Sequence, residues 1–116
     1  MKIKEATILE IDELAYIFHE YREISVSHEG TSSIEESKSW LHDRINGREA
    51  VIFIAIEENS IVGFSTLYKG FSSISLKKYW VLNDLYVVPN CRGKGYAKHL
   101  ISEIQKICYR FRFKRH

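Results

Sequence analysis

The chain has 116 residues, 45% of them hydrophobic, enough for one small domain around a single core. Six glycines, one proline and the lack of any low-complexity segment argue against a disordered chain. A net charge of +2, from 17 basic and 15 acidic residues, hides a lopsided distribution. Residues 10–43 hold nine acids against Arg22 and Lys38, a balance of −7, and residues 69–116 hold eleven basic residues against Asp84 and Glu103, a balance of +9. One half suits a cationic partner and the other an anionic one, unless both are simply solvated faces.

In chain order, the N-terminal "MKIKEATILEIDEL" carries acids and lacks a signal-peptide core, so export is not expected. Within it, "KIKEATIL" (2–9) reads as a first strand. Over residues 12–25, Leu14, Ile17, Phe18 and Tyr21 recur at the spacing of an amphipathic helix. After "HEGTSS", Ser33 and Glu36 predict a capping box for a second helix with Trp40, Leu41 and Ile45 facing inward and Gly47 at its end.

The run "AVIFIAI" (50–56) is far too short to span a bilayer and reads as a central strand. "EENS" turns it into a partner strand, "IVGFSTLY". The longest strand candidate, "LKKYWVLNDLYVV" (76–88), stops at Pro89, which has no N–H to continue a ladder. From Gly95 onward Ala97, Leu100, Ile101, Ile104 and Cys108 form one buried helical stripe. The predicted order is β-α-α-β-β-β-α, an α/β domain around a mixed sheet. Trp40, Trp80 and Phe53 read as core. Cys91 and Cys108 fit a reduced, cytoplasmic protein better than a disulfide framework.

The stretch "NDLYVVPNCRGKGYAKHL" (83–100) carries the chemistry. A helix beginning near Gly95 leaves its first N–H groups unpartnered and its dipole places partial positive charge there. Gly93 and Gly95 remove side chains where an anion would approach, and Arg92, Lys94 and Lys98 add cations. This predicts a phosphate site. A Walker loop is excluded, because Gly95 follows Lys94 and Pro89 stands where its first glycine belongs. A dinucleotide fingerprint is excluded by Lys98.

The remaining Arg92-Gly93-Lys94-Gly95-Tyr96-Ala97 resembles the acetyl-CoA pyrophosphate loop of the GNAT superfamily of N-acetyltransferases: Gln or Arg, two residues, Gly, one residue, then Gly or Ala. The strand "NDLYVVP" before it, the helix after it and the preceding element order match the family, over residues 1 to about 108. "GFSTLYKGFSSISLKKYWVLNDLYV" is similar to small-molecule, polyamine-type members.

The resemblance implies acetyl transfer from acetyl-CoA to a small-molecule amine. The backbone of Leu85, Tyr86 and Val87 would pair with the pantetheine arm, and residues 92–97 would hold the pyrophosphate. The N–H near Val87 would face the developing oxyanion, a contribution of about 2.7–4 kcal/mol. Asp84 is the candidate base for the ammonium proton; the competing reading is that it caps a bulge or pairs with a lysine. Glu20, Glu23 and Glu29 stand in the acidic half that would attract a cationic acceptor.

The chain also departs from the family, ending in "CYRFRFKRH" where relatives continue with a further strand and helix. That region commonly supplies the tyrosine that protonates the thiolate, and Tyr109 is not placed to replace it. Tyr109, Phe111 and Phe113 alternate with Arg110, Arg112 and Lys114, a period of two that predicts a short strand pairing with this sheet or a second chain's. A homodimer through that edge or tail is therefore expected. Other expectations are no membrane and no nucleic-acid partner, since the basic-aromatic tail has no RNA-binding motif. No metal is expected, since His19, His28, His42, His99 and His116 lack ligand spacing. Two further readings stay open: a CoA-binding protein without turnover, and a charge-driven module using the basic half.

Overall fold

The computed structural model describes residues 1–25, 33–107 and 111–113. Strand β1 (Lys2–Glu5) leads into helix α1 (Ile11–Ile24) and helix α2 (Ile34–Asn46). Strands β2 (Ala50–Glu57), β3 (Ser60–Ser72) and β4 (Lys77–Val87) follow, then helix α3 (Tyr96–Ile107) and a short β5 (Phe111–Phe113). The strands lie side by side in sequence order, antiparallel from β1 to β4, with β5 parallel to β4. The expected order is met, and the short strand expected in the tail is β5, which follows α3 and pairs with this chain's own sheet.

The first strand is shorter than "KIKEATIL" suggested. Thr7 takes the N-cap of a 3₁₀ turn over Ile8–Glu10, with its hydroxyl accepting from Leu9 N at 3.2 Å and Glu10 accepting from Thr7 N at 2.7 Å. This reciprocal cap outcompetes further pairing with β2. The same device starts α2: Ser33 accepts from Glu36 N at 3.1 Å while Glu36 accepts from Ser33 N at 3.0 Å. Gly47 caps the other end at φ −80°, and the left-handed turn falls one residue later, at Arg48 (φ 55°). Glu58 and Asn59, both at positive φ, form the two-residue link between β2 and β3, the twist that suits a tight hairpin.

Strand β2 is apolar from Ala50 to Ile56 because both its faces are covered. Ile52 and Ile54 join Leu14, Leu41 and Phe64 beneath α1 and α2, while Phe53 and Ala55 join Leu67, Leu100 and Ile104 beneath α3. Each of the larger of these side chains contributes about 1.5–3 kcal/mol on burial. Phe53 is core, as expected, and Trp40 and Trp80 are half-buried against the two clusters. Phe18 stacks on Trp40 at 5.5 Å and meets Phe64 edge-on at 5.7 Å, seating α1 on the sheet. Among the described residues no helix is long and apolar enough to cross a membrane. Cys108, Tyr109 and Arg110 lie outside the described residues, as do Lys114, Glu29, His28 and His116.

Strand β5 pairs only with the near half of β4, through Trp80, Val81 and Leu82. Beyond that point β4 keeps an edge with no strand partner among the described residues. The site is built on that edge.

Candidate active site

At the end of β4 the chain makes a 3₁₀ turn over Pro89–Cys91, closed by Cys91 N to Val88 O (2.9 Å) and Arg92 N to Pro89 O (3.3 Å). Gly93 and Gly95 follow at φ +81° and +82°, a region L side chains rarely enter. A Cβ at either position would meet nothing within 4 Å. Backbone conformation, not crowding, therefore demands glycine there, and the space above the loop is open. His99 N donates to Gly95 O at 3.1 Å, so Gly95 is the N-cap residue of α3. The N–H groups of Tyr96, Ala97 and Lys98 then have no acceptor within the helix.

The loop's cations are unequal. Arg92 folds back, with Nε donating to Val87 O at 2.9 Å and its guanidinium 5.3 Å from the centre of the Tyr86 ring. It braces the loop against β4. Lys94 and Lys98 remain exposed at the mouth. A cleft of about 600 Å³ runs from the β4 edge to this loop. Its lining includes every residue expected at the cofactor except Lys94, with Cys91 and Lys98 added.

The β4 edge is more selective than the sequence suggested. Val88 N donates to Val62 O, and Tyr86 O lies over Gly63, 2.8 Å from where a Cβ would stand. Alternation along the ladder turns the backbone groups of Leu85 and Val87 to the open edge and those of Tyr86 back into the sheet. Tyr86 therefore brings its ring, not its backbone, to this region. Its hydroxyl donates to Glu20 in a short hydrogen bond. Burial, reinforced by the bond to Glu20, pushes that phenol up to about 12.

Asp84 lies on the same strand, on the side of α1. Thr66 pairs with Asp84 and Leu67 with Leu82, so Asn83 is an extra residue in β4 and makes a bulge. The bulge aims Asp84 into a ring of donors. Its Oδ1 accepts from Tyr21 at 2.7 Å. Its Oδ2 accepts a short bond from Thr66, one from Asn83 at 2.9 Å and a long one from Tyr68 at 3.4 Å. Of the competing reading, the bulge is present beside Asp84 and, among the described residues, the lysine is not: the carboxylate is held by hydroxyls and an amide. Burial and the Asp84 charge raise the phenols around it, Tyr68 to about 12 and Tyr21 further.

The acids expected to attract an acceptor are spread out. Glu20 is bound to Tyr86, and Glu23 pairs with His19 at 3.2 Å. Sequence reading missed Tyr21, Thr66 and Tyr68 as partners of Asp84. Tyr21 was visible only as the last member of an apolar stripe, and nothing in the sequence marks where a bulge will turn a side chain.

Residues 12–116 match the model of the acetyltransferase (GNAT) family. The chain is 37% identical over 102 residues to the uncharacterized N-acetyltransferase YhfO of Bacillus subtilis (strain 168), covering 88% of this chain and 66% of that protein. It is 29% identical over 104 residues to a probable acetyltransferase of Haemophilus influenzae, covering 89% and 69%. The crystal structure of a probable acetyltransferase superposes with a TM-score of 0.87 at 35% identity, covering 99% of this chain and 80% of that one.

Proposed function

Because the chain belongs to the acetyltransferase (GNAT) family, we propose that it transfers an acetyl group from acetyl-CoA to the amine of a small molecule. The observation that carries this reading is the cleft, which joins a strand edge with no strand partner among the described residues to a glycine loop at a helix N-terminus. An extended, amide-bearing arm ending in a pyrophosphate has those two needs. The open space above Gly93 and Gly95 admits phosphate oxygens to the N–H groups of Tyr96, Ala97 and Lys98. Lys94 and Lys98 supply countercharge, while Arg92 holds the loop to Val87 and Tyr86.

Leu85 offers the backbone groups that would pair with the arm, since the Val87 carbonyl already accepts from Arg92 Nε. Acetyl-CoA, when bound, supplies an activated thioester. The Val87 N–H is the donor we assign to the oxyanion, worth about 2.7–4 kcal/mol if preorganised. An alkylamine is protonated near neutral pH, with a pKa of ~10, and must lose a proton before it can attack. Asp84 is the acceptor of that proton.

Calorimetric titration with acetyl-CoA tests the cofactor site. Saturable binding by the unmodified chain, lost in Gly95→Glu, is the expected result. Absence of binding by the unmodified chain would refute it. A screen of small amines for thiol release then tests transfer. One observation favours CoA binding without turnover: three donors already occupy Asp84 Oδ2. Binding with no thiol release from any amine would decide for that alternative.

A further inference from the structure

We propose that Tyr21 is the proton relay between the acceptor ammonium and Asp84. The inference rests on the acetyl-transfer reading above and adds a residue to it. Its starting point is the inequality of the two carboxylate oxygens. A carboxylate oxygen has about two lone-pair sites. Oδ2 receives Thr66, Asn83 and Tyr68 and has none to spare. Among the described residues Oδ1 receives Tyr21 alone, at 2.7 Å. A proton can therefore reach Asp84 only at Oδ1, the oxygen to which the phenol of Tyr21 is bound.

Tyr21 is held for that task. Its ring meets Phe64 edge-on at 5.6 Å and 90°, and lies 5.4 Å from the Tyr86 ring. Its hydroxyl proton points to Asp84, which leaves the oxygen's lone pairs for an incoming N–H. The residue is half-buried. The titratable groups around the pair are Tyr68 from β3, Tyr86 from β4 with Glu20 of α1 bound to it, and Arg92 over the Tyr86 ring. Tyr68 and Tyr86 are raised phenols, so they stay neutral while the relay operates. Burial and the neighbouring carboxylate also raise Tyr21, which keeps it a phenol at neutral pH and excludes a phenolate base.

The step balances. An ammonium N–H proton passes to the Tyr21 oxygen as the phenol's own proton passes to Asp84 Oδ1. This leaves a neutral amine, a neutral phenol and a protonated carboxyl group. The amine lone pair forms the N–C bond to the acetyl carbon and the C–S bond breaks. The second nitrogen proton ends on sulfur, giving the free thiol, and Asp84 returns its proton to water.

The test compares two amines in the unmodified chain and in Tyr21→Phe. Butylamine is protonated at pH 7, and 2,2,2-trifluoroethylamine is largely neutral there and needs no relay. Acetyl-CoA affinity, measured by calorimetry, is expected to be unchanged. The variant should lose about 100-fold in kcat/KM for butylamine at pH 7, at the lower end for general acid–base catalysis, and recover as pH rises toward the amine's own ionisation. Trifluoroethylamine should lose little. The ratio of the two rates does not depend on how much of the variant is folded. An equal loss for both amines at every pH, or no loss for either, would overturn the relay and leave acetyl transfer standing. No transfer by the unmodified chain to either amine would overturn the relay for these acceptors, and the wider amine screen would then decide the transfer reading.

Discussion

The hydroxyl of Tyr21, on α1, lies 2.7 Å from Asp84 Oδ1, on β4, across a separation of 63 positions in the chain. The bond ties the first helix to the strand whose open edge borders the cleft. It also makes Asp84 the meeting point of α1, β3 and β4, since Thr66 and Tyr68 of β3 share its other oxygen. Stability and the proposed proton transfer therefore converge on one carboxylate.

Asp84→Asn keeps the shape of the side chain but exchanges one acceptor oxygen for an NH₂ donor. That donor would face hydroxyls already committed as donors, one of them on the fully buried Thr66. Unmade hydrogen bonds of this kind cost about 1–3 kcal/mol each. Urea unfolding should show a loss in that range with an unchanged denaturant slope. Any amine acetylation should fall more steeply than acetyl-CoA affinity.

Gly93→Ala should be destabilising although nothing crowds the position. At φ +81° a Cβ costs about 1–2 kcal/mol from its own backbone. If the variant relieves this by leaving the left-handed region, the loop above α3 changes shape. Calorimetry is then expected to show weaker acetyl-CoA binding alongside the lower unfolding midpoint. An unchanged midpoint would mean that the loop does not hold this φ in solution.

Leu76 gives the opposite sign. It sits at φ 57° in the turn just before β4 and is 87% exposed, so it pays left-handed strain with little packing in return. Leu76→Gly removes strain of about 1–2 kcal/mol and adds about 0.5–1 kcal/mol of chain entropy. A net gain of about 0.5–1 kcal/mol is expected, read as a higher urea midpoint.

Alkaline pH should weaken the fold through Tyr68 and Tyr86. Burial leads in raising both phenols from 10.0 to about 12, followed by the charge of Asp84 at Tyr68 and the hydrogen bond to Glu20 at Tyr86. Between those values the unfolded chain has released protons that the folded chain still holds, so stability falls as pH rises. The contribution is complete below about pH 10 and gone above about pH 12. Urea midpoints measured across this window should decline, and the decline should be shallower in Tyr68→Phe. An equal slope in that variant would show that Tyr68 ionises alike in both states.

Several features were legible in the sequence because their causes are local. Ser33 and Glu36 make their capping box within one helical turn, and it is present as expected. Pro89 ends β4 because it has no N–H, and Gly93 and Gly95 announce a backbone that only glycine adopts with ease. The apolar run of β2 signalled a strand covered on both faces, and the loop motif with its flanking strand and helix pointed to the family. What lay beyond local reading was set by pairing between distant segments. The register that makes Asn83 an extra residue depends on how β3 and β4 align along their length. Only that alignment turns Asp84 toward Tyr21 and leaves Leu85 and Val87, but not Tyr86, with backbone groups on the open edge. A side chain's type follows from the sequence, but its direction in a sheet follows from the partner strand, and the partner exists only once the chain has folded.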